Sequence, residues 1–301
     1  MFGPYLAPNL ARDLIAESSG AEFETKAAER ELTPFFLSIH GYVGLAEQVP
    51  LAQLSQLLSA YFEACSAPIE EESGCIDKYI GDAVVAMFGA PVELRDHALR
   101  ACNAALKCHA RIAALRVKFQ SEGTTWPAAA HQLRIRIGLN TGRAIVGMMG
   151  TRTRFSYTMM GDSVNLAARL ESAAKAYGVW TLCTGATRDA AEQSRPGFIL
   201  FRSLGPIIVK GRAEPVEIFE PMAFADTATA QQQECVRTFE AALAHYLRHD
   251  WAAAVAGFQQ SARLEADQPE MSPEIKTNPS LVFLDLALAQ RENFGASPGV
   301  R

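Results

Sequence analysis

No stretch of the sequence approaches the ~20 consecutive apolar residues that a membrane-crossing helix needs. The opening residues, Met1-Phe2-Gly3-Pro4-Tyr5, lack the basic-then-apolar layout of a signal peptide. Long runs of Lys and Arg are missing too, and 28 basic against 33 acidic residues give a formal net charge of -5. That balance excludes the basic footprint of a nucleic-acid-binding surface. None of the six cysteines (Cys65, Cys75, Cys102, Cys108, Cys183, Cys235) stands in C-x-x-C spacing, so zinc-knuckle and thioredoxin-like sites drop out. They read as free thiols in a reducing compartment, some of them buried. Neither a G-x-G-x-x-G after a first strand nor a Walker A loop occurs, which disfavours a doubly wound dinucleotide fold. These absences lead us to expect a cytoplasmic chain, or the soluble part of a longer membrane receptor, with no membrane segment and no nucleic-acid partner.

Apolar residues make up 49% of the 301, enough to bury a core of ordinary size. Residues 1–30 read as a polar helical lead-in, with Pro8-Asn9 as its start signal and a narrow stripe of Leu10, Leu14 and Ile15. From 31 to 222 strands and helices alternate. Pro34–Ile39 is a short apolar run suited to a buried strand. Leu51, Leu54, Leu57, Leu58, Tyr61 and Phe62 recur at helical spacing. Two strands in 75–89 flank a tight turn at Gly81-Asp82. Asp96 can cap a helix to about Lys118, and Asp162-Ser163 another to about Ala176. Residues 133–140 alternate polar and apolar, with Arg134 and Arg136 on one face. Mixed elements with several hairpins predict an α+β fold with a mainly antiparallel sheet flanked by helices.

The composition shifts at about 223. Residues 226–233 are rich in Ala, Thr and Gln and read as a linker. Phe239, Leu243 and Tyr246, then Trp251, Ala254, Phe258 and Ala262, mark two helices, with a third at about 280–291. The pair is similar to one tetratricopeptide-like unit, which cannot bury its apolar face alone. The 223–301 extension is therefore expected to pack on the preceding domain or on a partner.

Three segments carry the chemistry: Phe35–Glu47 (FFLSIHGYVGLAE), Ile76–Pro91 (IDKYIGDAVVAMFGAP) and Arg134–Glu171. They contain NTG-x-AIVG, then YT-x-x-GD-x-VN-x-AARLE, with VKGR following. In this order and spacing, from about 31 to 221, they resemble the class III adenylyl/guanylyl cyclase catalytic domain. The resemblance implies a ferredoxin-like cyclase homology domain. It also implies a reaction, attack of a ribose 3′-hydroxyl on the α-phosphorus of a nucleoside triphosphate with pyrophosphate leaving. Such chemistry needs positioning and positive charge over the developing negative charge.

The family holds a pair of Mg²⁺ (or Mn²⁺) ions with two aspartates. Asp82 matches the one at the hairpin turn. Ser38 stands in the place of the other, and the Ile39 backbone carbonyl completes the metal positions. A serine hydroxyl can touch Mg²⁺ but cannot replace a full negative charge. His40 stands beside the gap and reads as an ordinary histidine, on the argument that successive strand side chains alternate faces. Lys78 and Thr158 match the residues that read the purine. A lysine donates only, suiting the N1 acceptor of adenine, and a hydroxyl can accept from the 6-amino group. Asn165 and Arg169, four apart on a helix, match the pair that orients the ribose and neutralises the α-phosphate. Arg136 and Lys210 match the triphosphate-binding cations.

In the family these groups meet only between protomers. Lys78, Thr158, Asn165, Arg169 and Lys210 come from one, and Asp82 and Arg136 from the other. The resemblance thus implies a head-to-tail homodimer, or a heterodimer with a complete cyclase that rescues one of two sites. Two functional readings follow. One is an adenylate cyclase, ATP to 3′,5′-cyclic AMP and pyrophosphate, weakened by the missing aspartate. The other is an inactive pseudocyclase that binds ATP and regulates a partner cyclase.

Overall fold

A computed structural model describes residues 27–151, 153, 155–208, 214–266 and 278–295. Strand β1 (Ala28–Ile39) organises it. Its second half places Phe35, Leu37 and Ile39 in the main core, while Phe36 and Ser38 point to the opposite face. After α1 (Tyr42–Gln48), α2 (Leu51–Glu71) buries Leu57, Tyr61, Cys65 and Ile69 at helical spacing. The hairpin β2 (Cys75–Ile80) and β3 (Ala83–Phe88) follows, with Gly81 in the left-handed region at φ 61°. Next come α3 (His97–Ser121), β4 (Ile135–Leu139), β5 (Gly142–Gly150), β6 (Phe155–Met160) and α4 (Asp162–Ala173). The remainder is β7 (Thr181–Thr184), α5 (Gly185–Ser194), β8 (Ile199–Ile207), β9 (Val216–Phe224), α6 (Ala230–Leu247), α7 (Trp251–Ala266) and α8 (Pro279–Gly295).

Among the described residues the strands form one sheet in the order β2-β3-β1-β4-β7-β9-β8, with β5 joining β1 and β6 joining β5. Every pairing is antiparallel except β4 with β7. Helices α2, α3 and α5 contribute to a core on one face, with Phe35, Ile137 and Leu139 from the sheet. On the other face α4 lies on β4 at Gly138. A Cβ there would sit 2.1 Å from the Ala167 carbonyl oxygen and 2.3 Å from Glu171 N. Only glycine permits so close an approach, and it sets the height of the helix that carries Asn165, Arg169 and Glu171. No described helix is long and apolar enough to cross a membrane.

Three local expectations differ from the structure. Ala28–Arg30, assigned to a helical lead-in, belong to β1, whose polar first half pairs with β5 from Ala28↔Val146 to Leu32↔Gly142. Residues 1–26 lie outside the described residues. Asp96 does not cap α3 through its side chain; its Oδ1 accepts instead from Arg100 Nε at 2.8 Å. The cap of α4 is Gly161, so Asp162 is the first helical residue rather than the cap.

The extension packs on its own chain. Phe239, Leu243, Phe258 and Phe283 share one core with Leu166 and Leu170 of α4 and with Leu182, Leu204 and Ile218 of the sheet. A buried ion triad reinforces the contact. Arg202 of β8 donates to Glu220 of β9 and to Glu265 of α7, and its side chain is only 3% exposed. All six cysteines are free and buried.

Candidate active site

The two residues expected to read the purine meet in space. Lys78 on β2 and Thr158 on β6 are 80 positions apart, yet Lys78 Nζ donates to Thr158 Oγ1 at 3.1 Å. The pairing register of β2 with β3 skips Asp77, because Ile76 faces Ala86 and Lys78 faces Val85. An extra residue in one strand re-aims its neighbours. Asp77 and Lys78, consecutive in sequence, consequently both reach Thr158. The Thr158 hydroxyl donates to Asp77 Oδ2 at 2.6 Å, and Lys78 Nζ lies 3.4 Å from Asp77 Oδ1. Burial pushes the Asp77 carboxyl above its ordinary range, opposed by the Thr158 hydrogen bond and the Lys78 charge.

The residues expected at the metal positions gather at the C-terminal end of β1. Asp82, in the hairpin turn, accepts from Ile39 N at 2.8 Å through Oδ2, and its own carbonyl accepts from Tyr61 Oη at 2.8 Å. Burial raises the Asp82 carboxyl pKa, and the Ile39 amide pulls it back. Ser38 pairs with Arg136 across β1 and β4, and its hydroxyl donates to Glu171 Oε1 at 2.5 Å. Arg136 Nη2 lies 2.5 Å from His40 Nδ1, while its buried Nε has no hydrogen-bond partner.

His40 is therefore not turned away from the gap. It stands two residues past Ser38, and its amide still pairs with the Arg134 carbonyl, so the two side chains share a face. Burial, then the charges of Arg136, Lys175 and Arg134, lower its pKa and keep the ring neutral enough to accept from Arg136.

Asn165 and Arg169 project from α4, with Asn165 exposed and Arg169 half-buried. Arg169 Nη1 is a buried donor without a partner. Lys210 lies outside the described residues. Among the described residues, no hydrogen bond or ion pair joins Lys78, Thr158, Asn165 or Arg169 directly to Asp82 or Arg136. The expected site residues thus fall into two groups that no such direct contact joins, as two half-sites would.

The donors at the β1 rim suit a hard divalent ion. Asp82 and Glu171 offer carboxylates, Ser38 a hydroxyl and Ile39 a carbonyl, all oxygen donors. Among the described residues no three His, Cys, Asp or Glu converge as a ready cation cage.

Residues 25–220 match the adenylate and guanylate cyclase catalytic domain family. The chain belongs to this family, the class III nucleotidyl cyclases. It is 34% identical over 220 residues to adenylate cyclase 1 of Rhizobium meliloti, covering 73% of this chain and 31% of that protein. With the adenylate cyclase of Anabaena cylindrica the identity is 30%, over 72% of this chain and 42% of the relative. The chain accordingly spans well under two thirds of the length of either relative. The crystal structure of the adenylyl cyclase CyaB from P. aeruginosa superposes with a TM-score of 0.59 at 33% identity, covering 66% of this chain and 96% of that one. Class III cyclases generally work with divalent metal ions, which the oxygen donors around Asp82 fit.

Two of the residues at these half-sites had no role assigned from sequence. Asp77 precedes Lys78 in the DKYIGD run, but only the bulge shows that both can face Thr158. Glu171 closes the AARLE run two residues beyond Arg169, and its reach to Ser38 depends on the helix lying directly on Gly138.

Proposed function

We propose that this cyclase domain converts ATP to 3′,5′-cyclic AMP and pyrophosphate in a head-to-tail homodimer. The observation that carries the reading is the Lys78–Thr158 contact, a donor beside a hydroxyl brought together from two distant strands. Lys78 donates to adenine N1, and Thr158 accepts from the 6-amino group. Asn165 orients the ribose. Arg169, whose Nη1 is a buried unpartnered donor, neutralises charge that grows on the α-phosphate. Arg136 and Lys210 hold the polyphosphate. Asp82, the Ile39 carbonyl and the nucleotide's own oxygens would hold Mg²⁺ or Mn²⁺. When bound, such an ion would supply a lowered pKa at the attacking hydroxyl and positive charge against the developing negative charge.

Dimerisation is supported by exposed apolar side chains around the Lys78–Thr158 pair. Tyr79 and Ile80 of β2 are 48% and 59% exposed, and Phe155 and Met160 of β6 56% and 58%. Large apolar residues left open beside the base-reading pair suit an interface between copies. The relatives' names support the adenylate reading, as does the neighbour in the crystal structure of an adenylyl cyclase.

Turnover of radiolabelled ATP with Mg²⁺ and with Mn²⁺, at high protein concentration, tests the proposal. Cyclic AMP is the expected product. Its absence under both metals contradicts the homodimer's activity. The Ser38–Glu171 hydrogen bond favours a second reading, in which the domain binds ATP without turnover and regulates a complete cyclase as a heterodimer partner.

A further inference from the structure

We infer that Asp77 fixes the proton of the Thr158 hydroxyl, and so makes Thr158 an acceptor that selects 6-amino over 6-oxo purines. The inference rests on the adenylate reading above and assigns its specificity to a third residue. Thr158 is buried, and its one hydroxyl proton points to Asp77 Oδ2 at 2.6 Å. An ionised carboxylate accepts only, so in this contact the hydroxyl must donate and its proton is committed to Asp77. The carboxylate is itself enclosed, with its side chain 2% exposed. Charge-assisted O–H···O⁻ bonds of this length are among the stronger hydrogen bonds. What remains on Thr158 Oγ1 is lone-pair density, one direction of which receives Lys78 Nζ at 3.1 Å.

The purine therefore meets one donor, Lys78, and one acceptor, Thr158. With Lys78 against N1 and Thr158 against the substituent at position 6, adenine satisfies both. Guanine presents N1–H to a donor and O6 to an acceptor, a mismatch at each contact. Without Asp77 the hydroxyl would turn and donate to O6, removing one of the two mismatches. The bulge at Asp77 makes the arrangement possible, since a regular strand would send Asp77 and Lys78 to opposite faces. Asp77 touches neither substrate nor reacting atoms. It is a positioning residue.

The test is calorimetric binding of 3′-deoxyATP and 3′-deoxyGTP, which cannot cyclise, to the whole chain with Mn²⁺. Asp77→Asn is expected to lower the preference for the adenine nucleotide roughly tenfold, one hydrogen bond's worth of discrimination. In a Thr158→Val background the same substitution should leave the preference unchanged, because no hydroxyl remains to be oriented. Asp77→Ala should repeat the effect, which guards against a folding defect peculiar to the amide. Equal weakening for both nucleotides, an unaltered preference, or the same shift in the Thr158→Val background overturns the inference. If the unsubstituted chain shows no preference for 3′-deoxyATP, the adenylate reading itself fails. If it shows that preference and the Asp77 variants keep it, only the role of Asp77 fails.

Discussion

The Ser38 hydroxyl donates to Glu171 Oε1 at 2.5 Å, across 133 positions of the chain. The bond ties the end of β1, where the family places a metal aspartate, to the helix carrying Asn165 and Arg169. Position 38 carries no charge, yet a carboxylate stands beside it.

Placing an aspartate at position 38 has a two-sided outcome. Ser38→Asp supplies the missing ligand and should raise turnover at least tenfold, since each ~1.4 kcal/mol of barrier is a factor of ten. The new carboxylate would face Glu171 at hydrogen-bond distance. Like charges so close raise the pKa of the pair, and protonation removes a metal ligand. The gain should thus be largest at alkaline pH, and Ser38→Asp/Glu171→Gln should carry it toward neutral pH. The pH profiles of cyclic AMP formation by the two variants check this. Superimposable profiles would mean that Glu171 does not feel position 38.

The fold was largely legible because its signals are local. Alternation in LRIRIGLN, the Gly81 turn and the stripe of α2 each point to the element that forms. The first half of β1 was not legible. Glu29, Arg30 and Glu31 are polar and exposed, and their strand conformation comes from pairing with β5 more than a hundred residues away. Among site residues, Lys78, Thr158, Asp82 and Arg136 came from motif resemblance, and the structure brings Lys78 to Thr158. Asp77 and Glu171 were hidden for geometric reasons, one by a bulge and the other by a helix's close approach at Gly138. His40 stands two residues from Ser38, so strand alternation puts the two side chains on one face rather than on opposite ones.

Acid should weaken the fold through His109. Its ring lies 2.8 Å from Thr181 Oγ1, and burial lowers its pKa from 6.5 to about 4. The unfolded chain takes up this proton as pH falls through 6.5, while the folded chain resists until about 4. Stability is thus lost progressively across that window, by on the order of 3 kcal/mol for this group. Denaturant melts of the parent chain and of His109→Gln between pH 7 and pH 4 measure it. The variant should lose less stability over that range.

The extension should be an integral part of the folded chain. Glu265→Ala leaves Arg202 buried with Glu220 alone and opens part of the contact between α7 and β8. Breaking a buried ion pair from one side costs about 3–5 kcal/mol. A drop in melting temperature of roughly 6–20 °C is expected, at about 2–4 °C per kcal/mol. A melting temperature within a degree of the parent's would show that the triad contributes little.

The most direct test of the central claim mixes two inactive variants. Arg169→Ala removes a group from one half-site, and Asp82→Ala removes one from the other. Mixed in equal amounts with free exchange, half of the dimers are heterodimers, and each has one intact site of two. Cyclic AMP formation should then recover to about a quarter of the parent rate, although either variant alone is inactive. A mixture that stays at the background of its components, while exchange is shown to occur, would contradict a site shared between two copies of this chain.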